Sequence, residues 1–148
     1  MLKGLPSFMS ADLLWVMAAM GHGDHLALVD RNFPAHSTAR LTSSARRIEL
    51  LGTNVVDAAR GILQLFPLDT FVASPLACMA PVDQPGVVLP VQADMLAACE
   101  AAEGRALTMT SIERFAFYEA ARRCFAVVHT SESRPYGCFI LTKGVVFD

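Results

Sequence analysis

The chain has 148 residues, a length that suits one domain with a sizeable core, and its 12 basic and 14 acidic residues give a formal net charge of -2. That balance supplies no cationic field to draw a polyanion, so nucleic acid is not an expected partner, and no apolar run approaches the roughly 20 residues that a membrane span needs. A hydrophobic content of 53% and a mean hydropathy of +0.41 are high for a lone globule and predict that part of the apolar surface meets other copies of the chain.

Ser10 fits a helix N-cap, and Leu13, Leu14, Met17 and Met20 form an apolar stripe at helical spacing, with Gly21 expected as the left-handed stop. The run from Leu13 to Met20 behind Lys3 faintly imitates a signal peptide. Pro6, Ser10 and Asp12 interrupt that pattern, so it reads as structure in a cytoplasmic protein. Leu26 to Val29 reads as a fully buried strand that delivers Asp30 to its carboxyl end, followed by a loop through Arg31-Asn32-Phe33-Pro34. A short strand near Arg47 to Leu51 precedes Gly52. Thr53 or Asn54 can cap the next helix, which carries Val55, Val56, Ala59, Ile62, Leu63 and Phe66 up to Pro67.

Ala77 to Val82 reads as a strand, Asp83-Gln84-Pro85-Gly86 as a turn, and Val91 to Glu103 as an alanine-rich helix stopped by Gly104. Another strand is expected near Ala106 to Met109. Thr110-Ser111-Ile112-Glu113 has the pattern of a capping box, opening a helix that reaches about Cys124. Phe125 to His129 and Cys138 to Thr142 read as strands joined by Ser131 to Gly137. The alternation predicts an α/β fold: a single domain over residues 1–148, three layers α/β/α, with a largely parallel sheet and the last two strands as an antiparallel edge. The four cysteines, Cys78, Cys99, Cys124 and Cys138, form no Cys-x-x-Cys pair and are expected to be reduced and buried.

The stretch MGHGDHLALVDRNFPAHS, from Met20 to Ser37, surrounds a short apolar run with three histidines and two aspartates, which packing alone does not require. Asp30 falls where ligands gather in an open α/β sheet. His22 lies just past a helix carboxyl end, where the dipole favours a cation, and Gly21 and Gly23 allow close approach to its ring. His22 and Asp30 can therefore form a proton-transfer pair. His25, His36 and Asp24 are more simply structural.

A metal set of His22, His25 and Asp30 has suitable ligand types but matches no strong spacing pattern, so no metal is expected. Arg114 and Tyr118, four apart, share one helix face and can offer a cation and a phenol to one ligand, although from spacing alone a salt bridge for Arg114 and packing for Tyr118 are the simpler reading. Tyr136-Gly137 closes a turn after Pro135, and Asp69 is open between a cap and a ligand contact. The chain has no Gly-x-Gly-x-x-Gly, P-loop or nucleophile elbow, which removes the common nucleotide and acyl-transfer readings.

Read together, MLKGLP, MGHGD, DRNFPAHS, PLDTF, SPLACM, IERFAFYEAA and YGCFILTKGV resemble the L-fucose mutarotase and D-ribose pyranase family, on the fucose side, in the right order over nearly the whole chain. The resemblance implies a cofactor-independent isomerase that interconverts the anomers of a free monosaccharide, in a homo-oligomeric ring, typically a decamer, with sites built where subunits meet. It implies that His22 is the catalytic acid, that Asp30, Asp69 and Tyr118 bind or polarise the sugar, and that Met79, Arg114 and Tyr136 complete the pocket, with Tyr136 lent by a neighbouring subunit. Cys138 stands where that family commonly has asparagine, and Phe71 where tyrosine is frequent. Two other classes compete: a monosaccharide-binding protein without catalysis, and a metal-assisted hydrolase using His22, His25 and Asp30.

Overall fold

Strands and helices alternate in the computed structural model, which describes residues 2–147. In chain order they are α1 (Ala11–Ala19), β1 (His25–Val29), α2 (Ala35–Ala39), β2 (Arg46–Leu50), α3 (Val55–Ile62), β3 (Leu76–Met79), α4 (Pro90–Glu103), β4 (Met109–Ile112), α5 (Arg114–Arg122), β5 (Ala126–Thr130) and β6 (Phe139–Thr142). The sheet order is β2-β5-β1-β6-β3-β4. β1 to β5 all run in one direction, and β6 alone is reversed, antiparallel to both β1 and β3.

The largely parallel α/β sheet is therefore as expected, but the antiparallel strand is not at an edge. Phe139-Ile140-Leu141-Thr142 is buried at every position, a pattern that belongs inside a sheet covered on both faces. β5 lies between β2 and β1, so the last two strands are not neighbours.

The period of two along the strands builds two cores. Leu26, Leu28, Ile48, Leu50, Val128 and Leu141 face α1, α3 and α4, while Ala27, Val29, Val127 and Ile140 face α2 and α5. All four cysteines are buried and unpaired.

Local chemistry sets most helix ends. Ser10 Oγ accepts from the Leu13 amide (3.1 Å) and Asn54 Oδ1 from the Asp57 amide (2.9 Å), while Gly104 closes α4 in the left-handed conformation. Gln92 fixes α4 to the sheet: its Oε1 accepts from the Leu89 amide and its Nε2 donates to the Met79 carbonyl at 2.8 Å.

Tertiary contacts override the sequence pattern at four places. Gly21 is not the left-handed residue; that is Gly23, at φ 83°, and the carbonyls of Met17 and Met20 go to Lys143 Nζ instead. α3 stops at Ile62 rather than running on to Phe66, because i+3 bonds from Gln64 and Leu65 tighten the chain ahead of Pro67. Thr110 and Ser111 are strand residues paired with Ala77 and Cys78, and Glu113 is itself the cap, accepting from the Phe115 and Ala116 amides, so β4 lies three residues later than expected. α2, directly after the expected loop over residues 31–34 and not itself expected, forms because Ala35 and Ala39 pack into the second core.

Candidate active site

Five parallel strands place their carboxyl ends on one side of the sheet. β1 runs into Asp30, β3 ends at Met79, and β4 runs into Glu113 and Arg114. Because β6 is reversed between β1 and β3, its start brings Tyr136 and Cys138 to the same place. Asp30, Asn32, Phe33, Met79, Arg114, Tyr118, Pro135, Tyr136 and Cys138 line a cavity of about 220 Å³. That volume lies below the range of drug-sized sites and suits a small polar ligand.

The pocket offers one carboxylate, one guanidinium and two phenols over an apolar floor of Phe33, Met79 and Pro135. Asp30 is 6% exposed, and its Oδ1 accepts from the Asn32 amide at 3.0 Å. The Arg114 guanidinium stacks on Phe115 (4.6 Å), and its Nε is buried without a hydrogen-bond partner, an orphan donor that a ligand oxygen would satisfy. Tyr118 packs at 5.6 Å against Phe33. The salt bridge that would explain Arg114 without a ligand is not present among the described residues. Burial first, then the neighbouring Asp30 charge, pushes the Cys138 thiol well above its ordinary range, so it stays S–H.

Tyr136 sits at φ 60°, unusual for a bulky residue, and its phenol oxygen accepts from the Val82 amide at 3.1 Å. Glu132, 3% exposed, supports that loop by accepting from the Arg134 amide (2.9 Å), Arg134 Nε and Nη2 (3.0 Å each), and Arg134 Nη1 reaches Asp94 Oδ2 at 2.7 Å. Burial opposes the charge on Glu132, but the Arg134 bonds outweigh it and hold the carboxyl below its usual value. A Cβ on Gly137 would come within 2.8 Å of Glu132 Cγ, so glycine is what lets the loop close over Asp30. Sequence reading did not find this support; the only trace of it is a glutamate two residues from an arginine in a polar loop.

His22 and Asp69 lie elsewhere. His22 precedes β1 and Asp30 follows it, and five strand residues separate the two ends by about 17 Å. Within one chain the expected His22–Asp30 pair therefore does not form, and His22, His25 and Asp30 cannot be one metal-ligand set. His22 Nε2 is instead 3.1 Å from Asp69 Oδ1, and the same oxygen accepts from the Phe71 amide at 3.0 Å. Asp69 is neither a helix cap nor part of the Asp30 pocket in this chain. The Phe71 ring packs against the imidazole, tilted by 56° with the centroids 5.3 Å apart.

The Phe71 amide, and with it His22, holds the Asp69 carboxyl below the usual carboxylate range despite its burial. An ionised carboxylate only accepts, so Nε2 carries the proton of this bond and Nδ1 is the nitrogen left to exchange protons. The imidazole is 49% exposed and the carboxylate 3%. The depressed Asp69 value has a consequence for acid stability. A carboxyl of this kind contributes stability above its unfolded value that is lost as pH falls through the lower folded one. The gap in urea midpoint between wild type and Asp69→Asn should thus narrow as pH falls below the ordinary value of 3.8. A gap that does not change with pH would contradict the assignment.

The sequence profile of the RbsD / FucU transport protein family matches residues 3–146. The chain belongs to the RbsD / FucU family. Within and around this family, it is 42% identical to the fucose mutarotase of Homo sapiens, over 98% of this chain and 94% of that one. It is 41% identical to the L-fucose mutarotase of Actinobacillus pleuropneumoniae serotype 5b, over 98% and 97%. Among solved structures, the fucose mutarotase of Streptococcus pneumoniae in complex with L-fucose superposes with a TM-score of 0.86 at 34% identity, over 99% of this chain and 100% of that one. The family resemblance carried by MGHGD and ERFAFYE is thus borne out over the whole length.

Proposed function

We propose that the protein is a mutarotase that interconverts the α and β anomers of L-fucose or a closely similar free sugar. The full-length similarity to fucose mutarotases supports the activity. The observation that carries the mechanism is the pairing of the half-exposed His22 imidazole, through Nε2, with the buried Asp69 carboxylate.

Mutarotation needs a proton delivered to the ring oxygen as the C1–O bond breaks, and another taken from the anomeric hydroxyl as the aldehyde forms. The aldehyde rotates about C1–C2, and the same steps in reverse close the ring on the other face. Asp30, Arg114, Tyr118 and Tyr136 hold the sugar hydroxyls, Met79 supplies an apolar wall, and His22 Nδ1 takes the anomeric proton and returns it to the ring oxygen, with Asp69 holding its tautomer. No cofactor or metal enters these steps.

A monosaccharide cannot bridge the ~17 Å between the two halves within one chain, so the working site takes His22 and Asp69 from one subunit and the Asp30 pocket from the next. Apolar rims favour that contact. Phe71, against the imidazole, is exposed at the His22 end, and Phe115, under the Arg114 guanidinium, at the pocket end. Contact between unlike ends is head-to-tail, the kind of interface from which rings are built when the rotation closes, in keeping with the decamer that the family resemblance implies. In this arrangement Tyr136 shares the pocket with Asp30, and the residue lent by the neighbour is His22. Four unpaired cysteines suit the cytoplasm.

Saturation-transfer NMR on the anomeric protons of L-fucose tests the reading. Wild type should speed exchange in proportion to its concentration. Line broadening without faster exchange would make the protein a sugar-binding member of the fold and end the mutarotase reading.

A further inference from the structure

Lys143 lies outside the pocket, yet it grips the His22 turn from both sides. Its Nζ donates to the carbonyls of Met17 (2.7 Å) and Met20 (2.6 Å), closing the end of α1, which has no basic residue in its own last turn. Its backbone carbonyl accepts from the Gly23 amide and its amide donates to the Asp24 carbonyl, both at 2.8 Å. Those two bonds fasten the chain immediately after His22.

The neighbours of Lys143 hold the other member of the pair. The Thr142 carbonyl accepts from the Asp69 amide (3.0 Å), and the Gly144 amide donates to the Pro67 carbonyl (2.8 Å). A Cβ on Gly144 would stand 2.7 Å from the Leu68 carbonyl oxygen and 2.8 Å from Asp69 Cα, so only glycine lets the two backbones approach this closely. Three consecutive residues thus form a strap between the turn that carries His22 and the segment that carries Asp69.

We propose that Lys143 is a positioning residue that, through this strap, sets the His22–Asp69 contact and hence the place of the proton-carrying imidazole. The catalytic part of the proposal rests on the mutarotase reading above. An ammonium suits the task because it radiates three donors from a point and sits at a helix carboxyl end, where the dipole favours a cation; the planar fork of arginine matches two such carbonyls less well.

The test compares Lys143→Met and Lys143→Arg with wild type in L-fucose exchange, each at wild-type elution volume and with the rate expressed per folded protein. Because a small displacement of a catalytic group can cost on the order of a hundredfold, Lys143→Met should lower kcat by about that factor. KM should change by less than about twofold, since the Asp30 pocket lies at the other end of β1, and Lys143→Arg should recover part of kcat. Lys143→Gln, which keeps a donor without the charge, replaces Lys143→Met if that variant does not fold.

A second readout is independent of activity. With selective ¹⁵N-histidine labelling of the chain's four histidines, the His22 nitrogens should move from a fixed Nε2–H tautomer toward the average of a free imidazole in Lys143→Met. A folded Lys143→Met with unmoved His22 signals, or with moved signals but wild-type kcat in an active enzyme, overturns the proposal. Absence of exchange in wild type itself overturns the mutarotase reading and leaves the imidazole signals to decide on the strap.

Discussion

His22→Ala is expected to slow catalysed L-fucose exchange by about a hundred- to ten-thousand-fold, the range that general acid–base assistance supplies, while leaving the fold intact. Three features argue for so large an effect without collapse. The imidazole is half exposed, at 49% of its side chain, so its removal opens no buried cavity. Asp69 keeps the Phe71 amide as a partner, so its charge is not stranded. The Gly23 amide still donates to the Lys143 carbonyl, so the turn keeps its anchor without the ring. The measurement is saturation-transfer NMR over a range of sugar concentrations. A uniform loss of kcat with KM nearly unchanged supports His22 as the proton carrier, because the hydroxyl-binding groups are untouched; a raised KM with normal kcat would make it a binding residue instead.

The contrast between what the chain displays locally and what it hides explains how this site can be read from sequence. Asp30 is legible because Leu26-Ala27-Leu28-Val29 is an uninterrupted buried run whose carboxyl end has one meaning in an α/β sheet. Asn54 and Gly104 are legible because caps act over three or four residues. Thr110 misleads for the opposite reason: its capping-box pattern is sound, but pairing with Ala77 holds it in a strand, and sheet register outweighs a cap. His22 and Asp30 mislead through their nearness in sequence. Only eight positions apart, they are divided by the strand itself, whereas the partner of His22 is Asp69, 47 positions away. Lys143 escapes notice for the same reason, since it closes a helix more than a hundred residues earlier. Motif resemblance places these residues in one list, but it carries no information about which end of the sheet each occupies.

Mixing two inactive variants should restore activity, and this result would separate a shared site from a site within one chain. His22→Ala retains the Asp30 pocket, and Asp30→Asn retains the His22–Asp69 pair. The Asp30 side chain accepts from the Asn32 amide, a bond that an asparagine carbonyl oxygen can also accept, so that variant should fold. Each alone has no complete site in any geometry. Co-refolded in equal amounts into a head-to-tail ring, a junction works only where an Asp30→Asn subunit donates its intact His22 to a His22→Ala subunit's intact pocket. Random arrangement gives that neighbour pair at about a quarter of junctions in a heterologous interface, so the mixture should reach about a quarter of wild-type exchange. If both halves belonged to the same chain, every subunit in the mixture would remain defective and the rate would stay at the level of the separate variants. Recovery should also need subunit exchange: mixing the two preassembled rings without dissociating them should leave both inactive, and activity should rise only as the rings open and reform.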